Sequence, residues 1–96
     1  MRITLQYFDD CPNWRVAENR LRKALIEVGQ PEHAVDYQRV ESAEEAERVS
    51  FGGSPTILIN GVDPFADAAG PAGFACRVYA GGAAPTVEEL RRALGG

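Results

Sequence analysis

The pattern of apolar and polar residues predicts three strands in the first 60 residues of the chain. Residues 2–8 read RITLQYF and residues 34–40 read AVDYQRV, and both stretches alternate between apolar and polar side chains. This two-residue period is typical of a β-strand. Residues 56–60, TILIN, form a short apolar run rich in β-branched side chains, which indicates a central strand.

A helical period lies between the first two of these strands. From Pro12 onward the apolar residues recur every three or four positions, as they do on one face of an amphipathic helix. Proline favours the first helical position, so we predict that the helix begins at Pro12 with Cys11 as its N-cap. Gly29 follows the last apolar position and is predicted to end the helix.

Two shorter helices are predicted from capping boxes, in which a Ser or Thr and a Glu three residues later satisfy each other's backbone N–H groups. Ser42 and Glu45 open a helix over residues 43–49, and Thr86 and Glu89 open another near the C-terminus. The chain therefore alternates strands and helices, which is the pattern of an α/β domain.

The position of a fourth strand is open. Residues 74–80, FACRVYA, alternate and are one candidate, and residues 62–65, VDPF, are the other. The alternation within residues 74–80 sets Cys76 and Val78 on one face and Arg77 and Tyr79 on the other. We expect Arg77 and Tyr79 to lie at the surface. Cys76 fits either a small buried apolar residue or a reactive thiol.

The composition fits one globular domain. The chain has 96 residues, of which 45% are hydrophobic, enough for one modest core, so we predict a single domain over residues 1–96. The longest apolar stretches are much shorter than the ~20 residues that a membrane-spanning helix needs. Met1 is followed almost directly by the first strand, without a leader segment, so we expect a cytoplasmic protein with no membrane contact.

Charge and metal-ligand content exclude further classes. The formal net charge is −4, from 10 basic and 14 acidic residues, and the basic residues form no cluster of the kind that nucleic-acid binding requires. Two cysteines and one histidine, His33, are too few for a four-ligand zinc site, so we expect no metal and no other cofactor. In a reducing cytoplasm, two cysteines are more often reactive than joined in a structural disulfide.

Two segments carry a resemblance to a known family. These are YFDDCPNW, after the first strand, and GGSPTILING, around the third. With the element order β-α-β-α-β-β-α they resemble the thioredoxin-like family over nearly the whole chain. The resemblance implies a thioredoxin-like α/β fold in which three helices flank a mixed four-stranded sheet. It also implies thiol–disulfide chemistry where the first strand meets the first helix.

The resemblance assigns roles to particular residues. Cys11 takes the position of the nucleophile, and Pro55 takes that of a cis-proline that faces it. Ser54, Pro55 and Thr56 are then expected to dock an extended substrate. The implied partner is a protein or small-molecule thiol or disulfide.

The chain departs from the family motif at one position. Trp14 stands where the family has the second cysteine of Cys-x-x-Cys, so the first helix cannot hold a dithiol. Trp14 is either an aromatic lid over the Cys11 thiol, where it would contact substrate, or part of the core. A resolving cysteine would have to be Cys76, which we include with Cys11 among the candidate catalytic residues.

Two effects on the charge of Cys11 oppose each other. Backbone N–H groups at a helix N-terminus stabilise a thiolate. The neighbouring carboxylates of Asp9 and Asp10 disfavour a second negative charge. A thiol–disulfide oxidoreductase is the leading hypothesis, and a thioredoxin-like binding module without turnover is the alternative if Cys11 is unreactive.

A second resemblance covers about a fifth of the chain. Residues 74–90, FACRVYAGGAAPTVEEL, are similar to the stretch of organomercurial (alkylmercury) lyases that carries a catalytic cysteine. The resemblance implies a third hypothesis, in which Cys11 and Cys76 together bind mercury or another soft metal. That function would require the two thiols to converge within about 5 Å.

Overall fold

A mixed three-stranded sheet forms the centre of the molecule. The structure is a computed structural model and describes residues 1–49, 51–66 and 76–95. Strands β1 (Ile3–Tyr7), β2 (Asp36–Arg39) and β3 (Thr56–Ile59) lie in the order β2-β1-β3. Strand β1 pairs in parallel with β2 and antiparallel with β3. Strand β1 is therefore the central strand, and the candidate site lies just beyond its last residue.

Three helices alternate with the strands among the residues that the structure describes. They are α1 (Asn13–Glu27), α2 (Ala43–Arg48) and α3 (Val87–Ala93). The longest, α1, has 15 residues, and none of the helices in the described parts of the chain is long and apolar enough to cross a membrane.

The ends of α1 follow simple backbone rules. Gly29 has a φ of 80°, a left-handed conformation that glycine adopts without steric cost. Its N–H group donates to Ile26 and that of Gln30 donates to Leu25, which completes a Schellman motif. At the other end the N-cap is Pro12, and no side chain caps the helix. The prediction that Cys11 is the N-cap is therefore wrong by one residue.

The main core lies between one face of the sheet and the helices α1 and α3. Its buried residues are Ile3, Leu5, Ala17, Leu21, Ala24, Leu25, Ile57, Ala84 and Leu90. Arg20 of α1 also donates to the Ala84 carbonyl at 2.9 Å. This bond holds the loop before α3 against α1, so the C-terminal part of the chain is fixed to the core.

A second, smaller core fixes the chain around the end of β1. Val40, Ala46 and Phe51 are buried there, with Phe8 and Val49 packed against them. The rings of Phe8 and Phe51 meet edge to face at 6.5 Å between centroids, a favourable geometry for aromatic pairs. This cluster joins the turn before Cys11 to the loop before β3.

The predicted four-stranded sheet is wrong. Over residues 1–49, 51–66 and 76–95 the elements run β-α-β-α-β-α with a three-stranded sheet, not β-α-β-α-β-β-α. Of the two candidates for the fourth strand, residues 62–65 begin with a tight turn in which Val62 pairs back onto Ile59. The other candidate, residues 74–80, begins with two residues that lie outside the described part of the chain.

The described part of that candidate makes isolated bridges in place of a ladder. Cys76 bridges to Ser54, and Tyr79 bridges to Gly82 across a turn that reverses the chain. The faces are also opposite to those predicted, because Arg77 and Tyr79 are 4% and 6% exposed whereas Val78 is 77% exposed. The alternation is real, but polar contacts of Arg77 and Tyr79 inside the molecule decide which face turns inward.

Candidate functional site

The two cysteines of the chain meet beyond the end of β1. Cys11 and Cys76 are separated by 65 residues in sequence, yet their Cα atoms lie 6.0 Å apart and their sulfur atoms are within bonding distance. A Cα separation of this size is typical of a disulfide. The fold thus forms a cysteine pair that no local motif contains.

The two members of the pair differ in solvent exposure. Cys11 is 0% exposed, whereas Cys76 is an exposed residue. Cys11 is buried because it closes the turn that joins β1 to α1, where its N–H group donates to the Phe8 carbonyl at 3.2 Å. The pair therefore joins a fully buried residue to an exposed one.

Ser54 connects the three segments that build the site. Its hydroxyl oxygen accepts from the Phe8 N–H group at 3.3 Å, and its carbonyl oxygen accepts from the Arg77 N–H group at 2.8 Å. The same carbonyl oxygen lies 3.5 Å from the Cys11 sulfur. The Ser54–Pro55 peptide bond is cis. One buried residue thus aligns the turn with Cys11, the loop before β3 and the segment with Cys76.

The residues predicted to dock a substrate are themselves covered. Ser54, Pro55 and Thr56 are all buried. The Tyr79 hydroxyl donates to the Pro55 carbonyl, and the Arg77 backbone donates to Ser54. Residues 76–79 of the chain itself therefore occupy the backbone edge that an extended substrate was expected to use.

A buried arginine holds residues 76–79 in place. The Arg77 guanidinium donates to Asp63 at 2.6 Å and to the Phe65 carbonyl at 2.6 Å, and its side chain is 2% exposed. It also stacks on the Tyr79 ring, 4.4 Å from the centroid. Because a charge this deeply buried needs its partners, the network anchors the residue next to Cys76.

Trp14 lies beside the first strand. Its ring stacks on Tyr7 with 4.5 Å between centroids, and the Arg15 guanidinium lies 4.7 Å from the Trp14 centroid. Trp14 is half-buried and packs against the main core. These contacts favour a packing role, with part of the ring still open to solvent.

The charge of Asp9 is compensated at the surface. Its carboxylate accepts from Arg39 at 3.1 Å, and Asp9 and Asp10 are both exposed. Exposed charges that are paired and solvated act weakly on a buried sulfur. The Asp9 and Asp10 carboxylates therefore act on Cys11 more weakly than their closeness in sequence suggests.

Sequence reasoning missed the contribution of Asp63. The residue follows the Asn60-Gly61 turn, and nothing in its local sequence marks it as the partner of Arg77. The signal that existed was the alternation that set Arg77 and Tyr79 on one face. Asp63, which lies beyond the end of β3, pairs with Arg77 and so allows the face with Arg77 and Tyr79 to be buried.

Comparison with protein-family models, with curated proteins and with solved structures yields no match to the chain. The described residues also contain no group of three or more His, Cys, Asp or Glu side chains that could hold a metal ion. The chemical groups that distinguish the site are the two sulfur atoms and their surroundings.

Removing the Arg77 side chain should destabilise the fold strongly. In Arg77→Met the Asp63 carboxylate, with a side chain 18% exposed, loses its cation, and we expect a loss of about 3 kcal/mol in the free energy of unfolding. Urea unfolding of the oxidised protein measures it. The control is Arg92→Met, which breaks an exposed pair with Glu88 and should cost at most about 0.5 kcal/mol. Equal losses would show that the buried pair contributes nothing special.

Burial raises the pKa of the Tyr79 hydroxyl, and the nearby Asp63 carboxylate adds to the effect while the Arg77 guanidinium opposes it. The folded protein therefore keeps this proton at a pH where the unfolded chain, with an ordinary pKa of about 10, has lost it. Stability should fall as the pH rises above about 10, by up to ~1.4 kcal/mol per pH unit from this group.

Tyr79→Phe isolates that contribution. At pH 8 the variant should be less stable by about 1 kcal/mol, because it loses the hydrogen bond to Pro55. Above pH 10 the difference should shrink, since phenylalanine has no proton to lose. Urea unfolding of both proteins from pH 8 to about 11 tests this, and a difference that stays constant would contradict the assignment.

Proposed function

We propose that the chain carries out thiol–disulfide exchange through Cys11 and Cys76. The observation that supports the proposal is the convergence of the two sulfur atoms to bonding distance across 65 residues of sequence. A disulfide with a purely structural role does not require an exposed cysteine. Exchange with a partner does require one, because the partner has to reach it. Cys76 is exposed and Cys11 is fully buried.

The reaction balances as a two-electron transfer. The reduced Cys11 and Cys76 thiols give two electrons and two protons to a substrate disulfide, which becomes two thiols, and the protein is left with the Cys11–Cys76 disulfide. A partner dithiol reverses the reaction. The substrate class is a protein or small-molecule disulfide, and no cofactor is needed because both electrons come from sulfur.

The position of Cys11 supports its role as one half of the couple. It directly precedes Pro12, the N-cap of α1, and the positive end of a helix dipole favours negative charge on a nearby sulfur. The resemblance of the CPNW and GSPT segments to thioredoxin-like proteins belongs to this proposal. It is supported by the 3.5 Å contact between Cys11 and Ser54, which brings the two segments together.

The cytoplasmic location inferred from the sequence also belongs to the proposal. Thiols are kept reduced in that compartment, so the Cys11–Cys76 pair would cycle between its two states and not persist as a disulfide. The disulfide would form when the protein has passed its electrons to a substrate.

The equilibrium with glutathione tests the proposal directly. We expect the equilibrium constant for forming the Cys11–Cys76 disulfide to be at least about 30-fold higher in the native protein than in the chain unfolded by guanidinium chloride. The reason is that folding brings the two thiols together. The measurement is a titration with mixtures of reduced and oxidised glutathione, followed by acid quenching and mass spectrometry.

The native protein must also transfer electrons. When reduced, it should reduce insulin disulfides in a turbidity assay at a rate above that of Cys76→Ser, which retains a single thiol. An equilibrium constant no higher than that of the unfolded chain, with no turnover of insulin, would refute exchange. The alternative of a binding module without turnover would then stand.

A second candidate function is supported by the same convergence. In the reduced protein, two thiolates on residues whose Cα atoms lie 6.0 Å apart can converge on one soft metal ion. If Cys11 and Cys76 bind mercury, the reduced protein should take up one Hg²⁺ per chain, and the charge-transfer absorption of the metal–thiolate bonds should follow the titration. The carbon–mercury cleavage of organomercurial lyases would be a further property of this site.

Variants that lack one cysteine test whether the chain binds mercury through both thiolates. Cys11→Ser and Cys76→Ser should each bind Hg²⁺ at least 100-fold more weakly than the wild-type protein, because each leaves one thiolate. Competition with a small dithiol measures the affinity. Tight binding that survives Cys76→Ser would eliminate a paired metal site.

A further inference from the structure

The burial of the cysteine pair sets the direction from which it can react. Because Cys11 has 0% of its surface exposed, its sulfur offers no surface to a molecule in solution. Cys76 is exposed, so it presents the accessible side of the pair. A thiolate attacks a disulfide at one sulfur, in line with the bond that breaks, and the rate depends on access to that sulfur.

We infer that Cys76 is the sulfur that exchanges with the partner and that Cys11 is the internal, resolving sulfur. This inference rests on the proposed function and reverses the roles that the family resemblance implied. Cys76 is the exposed residue of the pair, so a partner can approach it from solvent. An attacker on the Cys11 side would have to pass through the interior, where Ser54 and Phe8 contact Cys11.

The oxidised protein then reacts in two balanced steps. A partner thiolate attacks the Cys76 sulfur, a bond forms between the partner and Cys76, and the Cys11–Cys76 bond breaks. Cys11 leaves with the electron pair as a thiolate, and the proton lost by the attacking partner thiol balances its charge when Cys11 becomes a thiol. A second partner thiolate attacks the partner's sulfur in the mixed disulfide and releases Cys76 as a thiolate. The partner is oxidised to a disulfide and the protein is reduced to two thiols.

In the opposite direction, the Cys76 thiolate attacks a substrate disulfide and releases one substrate thiolate. The Cys11 thiolate then attacks the Cys76 sulfur of the mixed disulfide and releases the second. The Cys11–Cys76 bond forms in this step, and the two electrons of the protein have passed to the substrate. Cys11 never bonds to the substrate in either direction.

The surroundings of Cys11 suit a leaving and resolving group. It directly precedes Pro12, the N-cap of α1, where the positive end of the helix dipole favours negative charge, whereas its full burial opposes it. Once protonated, its thiol can donate to the Ser54 carbonyl oxygen, which lies 3.5 Å from the sulfur. The interior thus offers the Cys11 thiol a hydrogen-bond acceptor after the bond breaks.

The surroundings of Cys76 keep it at the surface. The next residue, Arg77, is anchored inside by Asp63, and Tyr79 is anchored by the Pro55 carbonyl. Arg77 and Tyr79 are buried whereas Cys76 and Val78 are exposed residues, and the Cys76 sulfur is within bonding distance of the Cys11 sulfur. Buried contacts of Arg77 and Tyr79 thus hold the segment in which Cys76 is an exposed residue.

Single-cysteine variants test the order of the two sulfur atoms. Reduced Cys11→Ser, which retains Cys76, should form a mixed disulfide with glutathione disulfide at least tenfold faster than reduced Cys76→Ser, which retains Cys11. Rates come from acid-quenched samples analysed by intact mass. The far-ultraviolet circular dichroism and urea midpoint of each variant establish that both are folded during the measurement.

A second measurement uses the wild-type protein, so that it does not depend on the folding of a variant. The oxidised protein is mixed with reduced glutathione, quenched in acid within the first turnover, alkylated and digested. We expect glutathione on Cys76 and the alkyl group on Cys11 in at least nine of ten mixed-disulfide molecules. Intact mass distinguishes this species from fully reduced protein.

The outcomes separate the inference from the function on which it rests. Glutathione mainly on Cys11, or equal rates for the two variants, would overturn the order while leaving thiol–disulfide exchange in place. If neither variant forms an adduct and oxidised wild-type protein is not reduced, exchange itself fails, and the order fails with it. Glutathione on Cys76, with faster reaction of Cys11→Ser, supports the inference.

Discussion

The alignment of three chain segments on Ser54 is the constraint on which the site depends. Its backbone and side chain bind the end of β1 and the segment that carries Cys76, and its carbonyl oxygen contacts the Cys11 sulfur. Ser54 is 0% exposed, so these contacts replace hydrogen bonds to water. Breaking them would leave buried polar groups without a partner and would destabilise the fold. The two cysteines are neighbours because a buried serine in a third segment has to satisfy its hydrogen bonds.

The buried cation of Arg77 supplies the second half of the arrangement. Hydrogen bonds to Ser54 would hold the Cys76 segment close, but they do not by themselves decide which of its faces turns inward. The ion pair with Asp63 and the stacking on Tyr79 make that decision, because neither the guanidinium nor its partner tolerates burial alone. Polar interactions inside a small domain thus control which residues of the Cys76 segment are buried and which are exposed.

The sequence predicts the local elements well and the long-range ones poorly. The period of residues 2–8 and the glycine at position 29 locate β1 and the end of α1, because strands and helix termini follow short-range rules. The prediction of a fourth strand was wrong, because residues 76–79 alternate as a strand does but make only isolated β-bridges. Cys76 was linked to Cys11 as one of several alternatives, because a contact across 65 residues has no local signature. Asp63 was missed for the same reason.

The long separation of the paired cysteines links the redox state of the protein to the stability of the entire fold. A bond between residues 65 positions apart closes most of the chain into one loop, and in the chain-entropy description it destabilises the unfolded state by about 4 kcal/mol. Oxidation and unfolding form the sides of one thermodynamic cycle, so the free energy by which folding favours the bond equals the free energy by which the bond favours folding. Formation of the disulfide therefore raises the free energy of unfolding of the whole domain, and its reduction lowers it. Core residues that touch neither sulfur share in that change.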